Sequence, residues 1–237
     1  MTALQRFVRG HWQLMALTAL VYLFWSSDVV WPLRILIVLF HELSHAFVAL
    51  LTGGEVIDLT LFRREGGAVT FRGGNFFWTA TAGYLGSLLI GVGLMIGAVF
   101  SRADRAIVMG LGAVILLTAL LYVRDGFALI YMVGTGAAFL GVGWFLPHQV
   151  CDLLLRVIGL LSMIYVPWDI AVDTVFTANR MSLQVSDAAA IASRVWLTEG
   201  IVGTIWILLS LLIIAATARL TLRSPSNIAF GARDKGR

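Results

Sequence analysis

The run His41-Glu42-Leu43-Ser44-His45 is where residue type and spacing in this 237-residue chain first prescribe a chemistry. On a helix, residues four apart project from one face, so His41 and His45 can offer two imidazole nitrogens to one metal ion. Glu42 stands beside them, placed to take a proton from water that the metal has acidified. Zinc suits such donors, and a catalytic zinc takes three protein ligands and keeps a fourth position for water. It lowers the pKa of that water toward about 7, and the glutamate later hands the proton to a leaving amine. With four histidines and four glutamates in the chain, chance would produce this pentad with a probability of roughly one in a thousand. The bland alternative is a hydrogen-bonded contact between helices. A structural zinc site is disfavoured, because Glu42 would then have no role and the chain holds a single cysteine, Cys151.

The pentad falls inside the apolar run Leu33 to Leu51. A carboxylate near the centre of a bilayer costs on the order of 3 kcal/mol even on the lenient insertion scale, so such a cluster needs a function to account for it. A straight helix would bury it about 15–18 Å from each membrane surface, and hydrolysis there requires a polar cavity enclosed by helices.

Two histidines leave a third ligand to find. His11 precedes the first apolar segment and His148 follows Pro147 in a short turn, so a carboxylate is the better candidate. Asp169 and Asp173, in Tyr165-Val166-Pro167-Trp168-Asp169-Ile170-Ala171-Val172-Asp173, share one helix face within an apolar segment. Pro167 disturbs the helix beside Asp169, and an acid at a helix break in an apolar segment is a site candidate. Asp169 therefore ranks first and Asp173 second, the latter also placed to tune a ligand or position water. Asp152 and Asp187 rank behind, Asp187 reading as part of a helix start.

The elements that must position these groups follow from composition. Of the residues 59% are apolar and 13% charged, with a mean hydropathy of +0.92; soluble domains carry about 25% charged residues. Apolar segments run Trp12 to Trp25, Val29 to Leu51, Trp78 to Phe100, Ala106 to Val123, Gly126 to Leu146, Val150 to Phe176 and Ile201 to Leu220. They are apolar all round, which excludes a membrane barrel and predicts an all-α polytopic membrane protein with six or seven transmembrane helices. The first segment is short for a span, and bulky Phe24 and Trp25 at its end predict an uncleaved anchor. The net charge of +4 reflects basic residues flanking spans and calls for no nucleic acid.

Between the second and third segments, Gly53 to Phe77 reads as a short β-hairpin, with Glu55 to Phe62 and Ala68 to Phe71 around the turn Arg63-Arg64-Glu65-Gly66-Gly67. Thr177 to Glu199 is the other polar stretch, and Ser186-Asp187 before Ala188-Ala189-Ala190-Ile191-Ala192 is a helix start. A single domain over residues 1–222 is expected, followed by a disordered basic tail over 223–237.

The order of these elements resembles the site-2 protease class of membrane-embedded zinc metallopeptidases, in particular its compact bacterial and plant-shared branch without an inserted PDZ domain. The resemblance covers about Val29 to Phe176. Ala82-Gly83-Tyr84-Leu85-Gly86-Ser87 is similar to that family's Ala-Gly-Pro-x-x-Asn element, with Tyr84 at the proline and Ser87 at the asparagine. Asp169 occupies the place of the family's Leu-Asp-Gly aspartate, with Ile170 at the glycine. Read physically, the small residues Gly83, Gly86, Gly93 and Gly97 serve close helix packing at least as well as function.

The resemblance implies zinc on His41, His45 and Asp169, with Glu42 as general base and acid. It implies a multi-pass protein of the bacterial cell membrane that cleaves membrane-spanning or membrane-adjacent substrates. It also implies a hairpin lying against the membrane and helping an extended substrate approach; shielding of the cavity is the alternative role. Two further functions fit the same cluster, a metal or ion transporter and a non-catalytic scaffold, and no internal repeat of the transporter kind is visible.

Overall fold

A computed structural model describes residues 2–176, 186–223 and 225–227. The chain forms α1 (Ala3–Leu23), α2 (Trp31–Leu51), a hairpin of β1 (Glu55–Phe62) and β2 (Gly66–Arg72), then α3 (Phe76–Phe100), α4 (Asp104–Tyr122), α5 (Gly126–Phe145), α6 (His148–Ala171), α7 (Asp187–Val195) and α8 (Glu199–Thr221). A π-helical turn, Val172–Phe176, continues α6. Six helices are long and apolar enough to cross a membrane, namely α2, α3, α4, α5, α6 with its extension, and α8. The protein is thus a multi-pass integral membrane protein.

Local chemistry sets the ends of these helices. Pro32 sits in the first turn of α2, where its missing N–H costs nothing. Asn75, Asp125, Ser186 and Thr198 cap α3, α5, α7 and α8 by accepting the first free backbone N–H groups. The helix α1 is not among the six, because Gln5, Arg6, Arg9 and Gln13 occupy its first half. It is tied instead to the end of α8. Its His11 is buried, with ring nitrogens 2.9 Å from the Ser226 hydroxyl and 3.1 Å from the Leu222 carbonyl. The Ser226 N–H donates to the Gly10 carbonyl. Residues 226 and 227, inside the tail expected over 223–237, are thus held on α1, and residues 224 and 228–237 lie outside the described part.

Glycines bring the helices into backbone contact. A β-carbon on Gly91 of α3 would lie 2.8 Å from the Gly159 carbonyl of α6, and one on Gly112 of α4 would lie 2.7 Å from the Gly136 carbonyl of α5. Without such small residues neither helix pair could approach so closely. Gly93, expected to serve the same purpose, faces open space.

The hairpin follows α2 in the chain. It is packed among the helices, with Leu59 and Leu61 of β1 essentially fully buried in the same core as Ile35, Leu39 and Phe40 of α2. The chain leaves the end of α2 through Gly53, whose φ of +82° suits glycine, and the hairpin then runs back along α2. Its turn is pinned at the start of that helix, where the Trp31 indole N–H donates to the Arg63 carbonyl at 3.0 Å and Arg34 pairs with Glu65 at 2.9 Å. The turn is also tighter than expected, since Gly66 pairs with Phe62 and Gly67 with Leu61 within the ladder. The hairpin is thus covered by α2 on one side and lines a cavity along Gly66 to Val69.

Candidate metal centre

The pentad occupies the middle of α2, and its two histidines meet an aspartate from α7. His41 Nε2 and His45 Nε2 are 3.0 Å apart, and Asp187 Oδ2 lies 3.1 Å from each. These three side chains form the one group among the described residues whose donor atoms are close enough to hold a metal ion. Donors bound to zinc at about 2.0–2.1 Å in tetrahedral directions stand about 3.3 Å apart, so the triangle has nearly the size the metal requires. A second feature fits. The His45 Nδ1 is 2.7 Å from the buried Thr79 carbonyl; a carbonyl can only accept, so the proton sits on Nδ1 and the Nε2 lone pair faces the triangle.

Asp187 is the residue that ranking by burial in an apolar segment placed behind. Ser186 is the cap of α7, accepting from the Ala189 N–H at 3.0 Å, and its own hydroxyl donates to Glu199 at the start of α8. The cap role having gone to Ser186, the Asp187 carboxylate is left to point at the histidines.

Asp169, expected first, is not part of the triangle. It lines the same cavity from α6, as does Asp173. Tyr165, one helical turn from Asp169, lines that cavity as well, and Tyr84 donates to Asp173. Asp152 is elsewhere, paired with Arg156 at 2.7 Å. His148 faces Asp104 at 3.6 Å, and His11 belongs to the α1–α8 junction.

The glycine element sits at the centre itself. A β-carbon on Gly83 would collide with His41 Nε2 and fall 2.5 Å from His45 Nε2 and 2.6 Å from Asp187 Oδ2. Gly83 therefore leaves the space in front of the ligands open, and Gly86, whose β-carbon would lie 2.5 Å from that of Ser44, seats α3 on α2. Gly67 of β2 plays the same part on the other side, for a β-carbon there would fall 2.6 Å from a carboxylate oxygen of Glu42. In sequence Gly67 reads as part of the turn; in the structure it belongs to β2 and keeps clear the space Glu42 fills.

The cavity in front of these groups measures about 940 Å³. One wall is β2, from Gly66 to Val69, and the other is α6 and α7. Gly83 lies seven residues into α3, so the centre is only about 10 Å below that end of the helix. Compared with family models, residues 14–217 match the one described as Peptidase M50B-like. No curated protein and no solved structure matches the chain.

Proposed function

The chain belongs to the Peptidase M50B-like family of metallopeptidases, and on that premise we propose that it is an intramembrane zinc endopeptidase. Its metal would be held by His41, His45 and Asp187, with Glu42 as general base and acid. The observation that carries this reading is the triangle of two Nε2 atoms and one carboxylate oxygen, 3.0–3.1 Å on a side, with Glu42 in the same helical turn. Zinc bound there supplies a Lewis acid that polarises the scissile carbonyl and acidifies water.

The chain's own residues do the rest. Glu42 is buried beside the histidines, where it takes a proton from the attacking water and delivers it to the amide nitrogen as the bond breaks. The Thr79 carbonyl keeps His45 in the tautomer that presents a lone pair. Gly83 and Gly67 keep the floor and roof of the cavity free of side chains. Among the described residues the sheet has two strands, so one edge of β2 is left for an extended substrate segment, which would lie across the cavity as a third strand. A substrate helix must unwind to use it, because its backbone groups are otherwise taken by its own hydrogen bonds. Substrates are accordingly membrane-spanning or membrane-adjacent peptides.

Purified protein reconstituted in liposomes with a single-span substrate tests the reading. Cleavage that stops with a zinc chelator and returns with zinc supports it. Chelator-insensitive cleavage, or metal flux without cleavage, contradicts it, and the second result would favour the transporter.

A further inference from the structure

The two histidines of the pentad are held in different ways. His45 is fixed by its Nδ1 hydrogen bond to Thr79 at 2.7 Å. His41 is fixed by rings, meeting His45 edge-on at 4.7 Å and Tyr84 edge-on at 4.8 Å and 82°. Tyr84 is 2% exposed and is backed on its other side by Trp206 of α8, with centroids 5.4 Å apart. Its hydroxyl donates a hydrogen bond to Asp173, in the π-helical turn that continues α6. Ser87, one turn further along α3, cannot replace it, because its hydroxyl lies 2.9 Å from the Gly83 carbonyl and 3.0 Å from that of Tyr84.

We propose that Asp173 acts on the metal centre through Tyr84, fixing the phenol whose ring in turn fixes the His41 imidazole. The inference rests on the metal reading above and adds two positioning residues to it. Neither Tyr84 nor Asp173 is a ligand. The physical reason is that a metal-binding imidazole performs only in one orientation. Partners behind a ligand commonly change metal affinity by 10–100-fold when removed. A histidine whose orientation comes from packing depends on whatever keeps the packing ring still. Here that is a hydrogen bond made from a different helix, so the end of α6 is mechanically joined to the pentad on α2 through α3.

A double-mutant cycle on the full-length protein in detergent tests this, with Co²⁺ as the probe metal. The readouts are cobalt affinity by chelator competition and the visible ligand-field spectrum, which reports ligand geometry and not fold stability. Tyr84→Phe and Asp173→Asn should each weaken cobalt binding by about tenfold and shift the spectrum. The double variant should be no worse than the weaker-binding single variant. Tyr84→Leu, which removes the ring, should lose more than Tyr84→Phe. Losses that multiply in the double variant overturn the proposal, because Asp173 would then reach the metal by its own route. Unchanged affinity and spectrum in Tyr84→Phe overturn it too, and that variant decides alone should Asp173→Asn fail to fold. In either case wild-type cobalt binding that needs His41 and His45 leaves the metal reading standing. A wild type that binds no cobalt removes both.

Discussion

Gly67 of the hairpin packs against Glu42 of α2 so closely that a β-carbon at Gly67 would fall 2.6 Å from a Glu42 carboxylate oxygen. The contact ties the wall of the cavity to the group proposed to move the proton. Gly67→Ala should push Glu42 aside while leaving the two histidines and Asp187 in place. A displacement near 1 Å at a catalytic group costs about 100-fold in rate. Cleavage assays paired with zinc analysis should therefore show full metal and a large loss of turnover; equal activity in the variant would show that the hairpin is free to move away.

The third ligand separates two acids that the sequence offers. Asp187→Asn should lose most bound zinc, because only two imidazoles remain of the three-donor triangle. Asp169→Asn should keep it, since that carboxyl lies outside the triangle of donor atoms. Metal content of the two purified variants decides the matter, and zinc lost only in the Asp169 variant would restore the order expected from burial.

Gly83 and Gly93 lie in the same helix and make a matched pair. Gly83→Ala meets all three candidate ligands, while a β-carbon at Gly93 meets nothing within 4 Å. Overpacking of this kind costs about 1–3 kcal/mol or displaces the neighbours. Gly83→Ala should thus impair zinc binding, and Gly93→Ala should be silent in both metal content and thermal unfolding. Equal behaviour of the two would argue that Gly83 serves helix packing alone.

The hairpin turn is held by Arg34, whose side chain is 8% exposed, and Glu65, whose side chain is 32% exposed. Removing Glu65 leaves a largely buried guanidinium without its carboxylate. Because Glu65 is partly solvated, the expected loss is about 1–2 kcal/mol, below that of a fully buried pair. Limited proteolysis of Glu65→Ala should cut first between Phe62 and Gly66, and a protease-resistant turn would place the anchoring elsewhere, at Trp31.

Much of this architecture is legible from hydropathy, since a bilayer leaves helices little choice. The six confident apolar segments correspond to the six long helices within a few residues at each end. The hairpin is legible from its β-rich runs and turn, but its burial is not, because nothing local says that Leu59 and Leu61 meet α2. The pentad is legible because its chemistry depends on spacing alone. Asp187 is not, because it lies in a polar stretch and reaches the histidines only when α7 folds back against α3 and α8. A signal for it did exist. Ala188, Ile191 and Ala192 form the buried face of α7, and Asp187 stands four residues before Ile191, on that same face. Reasoning from apolar segments alone passes over such a residue, since a short helix packed inward makes a polar stretch part of the interior.

Glu42 is proposed to carry the proton in a metal-dependent peptide hydrolysis. Its most direct test is the Glu42→Gln variant, reconstituted with a single-span substrate and measured for bound zinc and for cleavage together. Zinc at the wild-type level with cleavage abolished is the expected result, whereas wild-type turnover in that variant would show that another group moves the proton.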